Sequence, residues 1–157
     1  MEFRLADATE RDISVIFGLI QELGEYEKLP VVATEDILRE SLFSKRAAEV
    51  VIGYAGDEPA GYALFFQTFS TFLGVPGMYL EDIFVRPRFR RYGLGRMLLG
   101  RLAQIAVERG YGRVEWTVLD WNTPSIEFYK ALGAKPMDEW TLFRLTGEPL
   151  RRLGTSG

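Results

Sequence analysis

RRYGLGRML, residues Arg90 to Leu98, sets two glycines one residue apart between a run of arginines and an apolar segment with helical spacing. Glycine weakens a helix by about 1 kcal/mol relative to alanine, so a pair at a helix start implies that bare backbone is needed there. Upstream, MYLEDIFV (Met78 to Val85) is rich in aromatic and β-branched residues and reads as a central strand. Downstream, Leu94, Met97, Leu98, Leu102, Ile105 and Ala106 share one broad face, with Gly110 as the stop signal. A strand that runs into a glycine-rich turn and then a helix gathers free N–H groups and the positive end of the helix dipole at one point. That is an anion site.

The flanking elements fit a mixed layer fold. EFRLA at residues 2–6 reads as a short strand. Thr9 then caps a helix carrying Ile13, Ile16, Phe17, Ile20 and Leu23 at helical spacing, with Gly24 as its end. A second helix is expected from Thr34 to Phe43, followed by a hairpin: AEVVIGYAG, a turn at Asp57-Glu58-Pro59, and AGYALFFQTFS. Beyond Gly110, RVEWTVL alternates as a strand. Thr123 and Pro124 open a helix that stops at Gly133, and a last strand is expected from Glu139 to Leu145. The fold class is α/β: a mixed, mainly antiparallel central sheet flanked by helices, a single domain over residues 1–150 with a flexible tail at 151–157.

Composition shortens the list of chemistries. At 157 residues, 47% hydrophobic and 13% aromatic, the chain fills one core without staples. Cysteine and histidine are both absent. Disulfides, thiolate or imidazole metal sites and nucleophiles of the Ser-His or Cys-His kind are excluded, so proton transfer falls to carboxylate, tyrosine, lysine or water. No metal is expected. The start, MEFRLADATERD, has no basic stretch ahead of an apolar run, and no segment reaches membrane-spanning length, so a cytoplasmic protein without a membrane partner is expected. The net charge of −3 argues against nucleic acid as a partner, but the charge is unevenly spread. Five arginines and no acid lie between Arg86 and Arg96, whereas Gln21 to Asp36 carries Glu22, Glu25, Glu27, Glu35 and Asp36 against Lys28 alone. A basic loop suits an anionic ligand; an acidic one suits a cation.

Three anionic ligands compete for the glycine turn. A P-loop needs Lys followed by Ser or Thr after its second glycine, whereas Gly95 is followed by Arg96-Met97. A dinucleotide fold needs GxGxxG; GLGRML lacks the third glycine, although Glu115 lies at the expected separation. The remaining pattern, Arg90-Arg91-Tyr92-Gly93-Leu94-Gly95, resembles the pyrophosphate loop of the GNAT superfamily of N-acetyltransferases. Asp120-Trp121-Asn122-Thr123-Pro124-Ser125-Ile126-Glu127-Phe128-Tyr129-Lys130, ending in Ala131-Leu132-Gly133-Ala134, is similar to that family's N-x-P-S-x-x-F-Y-x-x-x-G-A segment. With Tyr79-Leu80-Glu81-Asp82, the chain resembles the diamine (spermidine/spermine) acetyltransferase branch. The resemblance runs from Phe3-Arg4 through Leu23-Gly24-Glu25-Tyr26-Glu27 to Trp140 and Leu142-Phe143.

The resemblance implies acetyl-CoA as cosubstrate. It assigns main-chain contacts to Phe84 and Val85, the pyrophosphate to Arg90, Arg91, Tyr92, Gly93, Leu94, Gly95 and Arg96, and further contacts to Asn122 and Ser125. Tyr129 is the implied general acid, and Glu81 the general base, acting through water. Tyr26, Glu27, Asp82 and Trp140 match positions near a small-amine cleft, and a homodimer is implied. A lysine-like amine, with a pKa near 10.4, is neutral in only about one in a few thousand molecules at pH 7, equivalent to roughly 4–5 kcal/mol, which a nearby carboxylate relieves. The leaving thiol, with a pKa of about 8.5, is matched by a tyrosine donor of about 10. Without cysteine no thioester forms on the protein, so direct transfer in a ternary complex is the economical route.

Thr71 and Leu73 stand where the polyamine branch places an acid and a tryptophan, with Phe72 as the remaining aromatic. That departure leaves a short diamine, a thialysine-like amino acid or another small amine open as acceptor. Two other functions stay open on sequence: a non-catalytic acyl-CoA-binding sensor, and an acetyltransferase acting on a protein amine.

Overall fold

Five runs of alternating apolar residues assemble into one sheet: β1 (Arg4–Asp7), β2 (Glu49–Ala55), β3 (Glu58–Ser70), β4 (Val75–Val85) and β5 (Val114–Glu115). They lie side by side in chain order, antiparallel from β1 to β4, with β5 parallel to β4 through Met78 and Tyr79 only. This computed structural model describes residues 1–156, and its contacts group into two compact units, Met1–Thr117 and the residues from Val118 on.

Period-two alternation divides the first unit's core between the two faces of its sheet. One face carries Val50, Ile52, Tyr62, Leu64 and Phe84 and packs on α1 (Ile13–Glu27), which buries Ile13, Ile16, Leu19 and Leu23. Leu42 joins that cluster from the turn of π-helix, Glu40–Ser44, that continues α2 (Glu35–Arg39). The other face carries Val51, Ala63, Phe65, Met78 and Leu80 and packs on α3 (Leu94–Glu108), which buries Leu94, Leu98, Leu102, Ile105 and Ala106. Each such Leu or Ile contributes about 1.5–3 kcal/mol relative to an exposed one. Leu94 fixes where α3 starts. A Cβ on Gly53 would lie 2.7 Å from Leu94 Cδ1, and one on Gly61 would lie 3.3 Å from Leu94 Cδ2 and 2.5 Å from the Phe84 carbonyl. The two paired glycines are the hole into which Leu94 fits.

Several boundaries differ from the sequence expectation. Gly24 does not end α1, which continues to Glu27 and is capped by Lys28 in the left-handed region (φ 58°). A Cβ at Gly24 would lie 2.5 Å from Val31 Cγ2, so this glycine answers a close approach of the returning chain. Thr9 caps a 3₁₀ turn, Glu10–Asp12, its N–H donating to Asp12 Oδ2 at 2.8 Å, before α1 begins. The hairpin turns at Gly56-Asp57, with Gly56 at φ 63°, so Glu58 and Pro59 lie inside β3. The strand expected over RVEWTVL contracts to Val114–Glu115.

The second unit contains α4 (Thr123–Ala131) and α5 (Gly147–Thr155). Asn122, not Thr123, caps α4: its side-chain oxygen accepts from the Ser125 N–H at 3.4 Å. Residues 140–146 hold no regular element. The expected strand from Glu139 to Leu145 is absent because this unit contains no strand to pair with it, and Trp140 and Phe143 are 75% and 91% exposed. The tail expected at 151–157 is instead helical through Thr155, with Ser156 beyond it.

Candidate active site

A bulge in β4 sets the geometry of the acidic residues. Leu64 pairs with Asp82 and Phe65 with Leu80, so Glu81 is an extra residue without a partner. Strict alternation would put Leu80 and Asp82 on the same face. With the bulge, Met78 and Leu80 face α3, while Asp82 and Phe84 face α1. Glu81 is exposed at the bulge.

Asp82 meets Tyr62, a fully buried residue of β3, whose O–H donates to Asp82 Oδ2 at 2.9 Å. Burial pushes the Asp82 carboxyl up to about 6; the Tyr62 hydrogen bond opposes that rise, and the charges of Glu81 and Glu27 add to it. Burial also raises the Glu27 carboxyl. The Tyr62 phenol is driven far above its usual range, chiefly by burial and then by the Asp82 charge, so it remains a donor. Among the described residues none of Glu27, Glu81 and Asp82 pairs with a cation. Because α1 runs past Gly24, Tyr26 and Glu27 stand in its last turn, and the Tyr26 ring lies 6.4 Å from that of Phe84.

The arginine loop divides its labour. Arg86 binds Glu22 and the Pro59 carbonyl, and Arg88 pairs with Glu58. Arg90 donates from Nε to the Val85 carbonyl at 2.7 Å, its guanidinium 4.8 Å from the Tyr26 ring centre and 5.6 Å from that of Phe84. Arg91 and Arg96 are exposed and make no ion pair among the described residues. Arg91 (φ 71°) and Gly93 (φ 90°) both adopt left-handed backbone, turning the chain into α3, where the Met97 N–H is the first to reach back, to the Gly93 carbonyl at 3.0 Å. Leu94, Gly95 and Arg96 therefore present N–H groups without helical acceptors. Tyr92 is exposed beside them.

Acetyl-CoA fits this arrangement on two counts. A Cβ on Gly95 would meet only Val85 Cγ2, at 4.0 Å, so the fold itself does not use the space this glycine leaves open. In addition, β5 pairs with β4 at Met78 and Tyr79 alone, so the β4 edge from Leu80 to Val85 faces no strand of the sheet on that side. A helix mouth whose first amides lack helical acceptors thus follows a strand edge that, from Leu80 to Val85, pairs with no strand on that side among the described residues.

In the second unit, α4 carries Asn122, Ser125 and Tyr129. Asn122 is 8% exposed and is held as the cap; Tyr129 is half-buried, 5.7 Å from Phe128 between ring centres. Trp140 is exposed. Thr71, Phe72 and Leu73 occupy the exposed turn between β3 and β4. Elsewhere in the first unit a cavity of about 520 Å³ is lined by Asp7, Arg46, Glu49, Arg101 and Arg109, among others. Arg109 is paired there with Glu49 at 2.7 Å, and Arg101 lies 3.8 Å from Asp7. Among the described residues there is no cluster arranged to hold a metal ion, and no helix is long and apolar enough to cross a membrane.

Sequence reasoning missed Tyr62. The signal was present: a tyrosine inside the apolar run YALFF needs a partner for its hydroxyl once the strand is buried.

A thialysine N-epsilon-acetyltransferase of Caenorhabditis elegans is 36% identical over 155 residues, covering 96% of each chain. An L-ornithine N5-acetyltransferase of Arabidopsis thaliana is 44% identical over 119 residues, covering 76% of this chain; the chain spans about half (49%) of that longer relative. An integron cassette protein from the mobile metagenome of V. cholerae superposes with a TM-score of 0.85 at 27% identity, covering 99% of both chains. The family model described as "Acetyltransferase (GNAT) family" matches residues 17–134, and the chain belongs to that family of acetyltransferases.

Proposed function

We propose that the protein transfers the acetyl group of acetyl-CoA to the primary amine of a small cationic acceptor by direct attack while both are bound. The supporting observation is the trio Glu27, Glu81 and Asp82: the charges of the first two add to the rise of the Asp82 carboxyl, and among the described residues none of the three forms an ion pair. An alkylammonium ion would relieve that repulsion, as a neutral acceptor would not.

In this reading the main chain of Phe84 and Val85 holds the amide-bearing arm of the cosubstrate at the open β4 edge. The amides of Leu94, Gly95 and Arg96, with the side chains of Arg91 and Arg96, hold its diphosphate. Arg90 keeps the loop tied to Val85, Gly93 supplies the turn, and Asn122 and Ser125 add contacts from α4. The thioester supplies the activated acetyl group. Asp82 and Glu27 hold the cationic acceptor against Tyr26; Trp140 belongs to the proposal on family resemblance alone. Glu81, through a water, takes the proton from the attacking amine, and Tyr129 gives one to the departing thiolate. A homodimer belongs to the proposal on family resemblance alone.

The acceptor class is a short amine. Thialysine and L-ornithine, named in two of the relatives, each carry a primary amine on a short side chain. The exposed turn at Thr71 and Leu73 adds no acid for a longer polycation. Release of free CoA with L-ornithine, thialysine, putrescine and spermidine tests this. Turnover is expected to be fastest with the short acceptors. Binding of acetyl-CoA without thiol release from any of the four would overturn the reading.

A further inference from the structure

We propose that Tyr62 is a positioning residue, whose buried hydroxyl fixes one oxygen of Asp82 and leaves the other turned to the acidic face as anchor for the cationic acceptor. The inference deepens the function proposed above and rests on it.

The geometry is specific. The bulge at Glu81 turns Asp82 onto the α1 face of the sheet, where Tyr62, fully buried beside Leu64 and Phe84, reaches its Oδ2 at 2.9 Å. Among the described residues Oδ1 accepts no hydrogen bond. A phenol can donate to a carboxylate without neutralising it, so the charge stays available to a second donor such as an ammonium group.

The groups facing Asp82 are Glu27 from α1, Glu81 from its own strand and Tyr62 from β3; the first two raise its proton affinity and the third lowers it. Arg90 of the loop is directed to the Val85 carbonyl and to the Tyr26 and Phe84 rings. Tyr62 is thus the one neighbour among these that favours the ionised anchor. It touches neither the acetyl donor nor the reacting nitrogen in this scheme, so its loss affects capture of the acceptor and not the chemical step.

The test is Tyr62→Phe, assayed with L-ornithine and acetyl-CoA from pH 5.5 to 9. The acceptor KM is expected to rise about tenfold at pH 7, with kcat within threefold and acetyl-CoA affinity unchanged. The acid limb of kcat/KM should move to higher pH, because the bond that favours the carboxylate is gone. An unchanged KM together with an unmoved limb would overturn the proposal. Asp82→Asn guards against a folding failure of the first variant: it should show the same rise in KM, and a KM like that of the parent protein would also overturn it. Carboxyl ¹³C titration of Asp82 separates this claim from the proposed reaction, since it requires no turnover. A midpoint that moves up in Tyr62→Phe upholds the positioning role even if no amine is acetylated; a midpoint that stays put removes it.

Discussion

The Arg86 guanidinium holds the Glu22 carboxylate with three hydrogen bonds, Nε to Oε1 at 3.0 Å and to Oε2 at 3.1 Å and Nη2 to Oε2 at 2.7 Å, and its Nη1 donates to the Pro59 carbonyl at 2.8 Å. One side chain therefore ties α1, β3 and the end of β4 together. With 28% and 34% of the two side chains exposed, solvent screens part of the pair. Removing the guanidinium still leaves Glu22 half-buried without its partner. Arg86→Ala is expected to lose about 1–2 kcal/mol, or roughly 2–8 °C in Tm, measured by urea and thermal unfolding. A stability unchanged within error would show that the clamp is dispensable.

Gly61 and Gly95 make opposite predictions. Gly61 is demanded by the fold, since a Cβ there would lie 2.5 Å from the Phe84 carbonyl and force β3 and β4 apart. Gly61→Ala should therefore cost about 2 kcal/mol or more in unfolding free energy. Gly95 is not demanded by the fold: alanine there meets only Val85 Cγ2 at 4.0 Å and gains helix propensity. Gly95→Ala should hold or raise Tm by the equivalent of up to about 1 kcal/mol. The same change should weaken acetyl-CoA binding at least fivefold by titration calorimetry. Unchanged affinity in that folded variant would place the diphosphate elsewhere.

What sequence could convey depended on how local the cause was. The α3 stripe from Leu94 to Ala106 and the alternation in β2 and β3 are set by neighbours three or two residues away, and both elements form where they are expected. The bulge at Glu81 depends on register against Leu64 and Phe65 across the sheet, which residues along one strand do not reveal. Gly24 has the same signature whether it stops a helix or admits Val31, and a contact seven residues away decided between them. The Glu139–Leu145 segment alternates like a strand, but alternation gives only the faces; hydrogen bonding needs a neighbour. The acids and the arginine loop were legible as opposite charges. Which arginines remained unpaired was not, because Glu22 and Glu58 lie far from them in sequence.

Tyr129 carries a prediction of its own. If it gives the proton to the departing thiolate, Tyr129→Phe removes the donating hydroxyl and keeps the ring that packs 5.7 Å from Phe128. kcat should fall by about 10²–10⁴ with acetyl-CoA affinity largely retained. Single-turnover kinetics and calorimetry on the same preparation separate the two quantities. A fully active Phe variant would remove Tyr129 from the mechanism.

Asp82 is also expected to make the fold less stable at neutral pH. Its carboxyl is raised from 3.8 to about 6, first by burial, so between these values the folded protein binds more protons than the unfolded chain. By linkage, stability then declines as pH climbs through that window and stays lower above it. This is the reverse of a salt-bridged acid, whose folded pKa is depressed. Asp82→Asn removes the charge while keeping an oxygen that can accept from Tyr62 at 2.9 Å. The variant should be more stable than the parent at pH 8 by about 1–2 kcal/mol, a few degrees in Tm, with the advantage fading toward pH 4. Thermal unfolding of both proteins across pH 4 to 8 measures the difference directly. A gap that does not change with pH, or a variant that melts lower at pH 8, would mean that the buried carboxylate carries no such penalty.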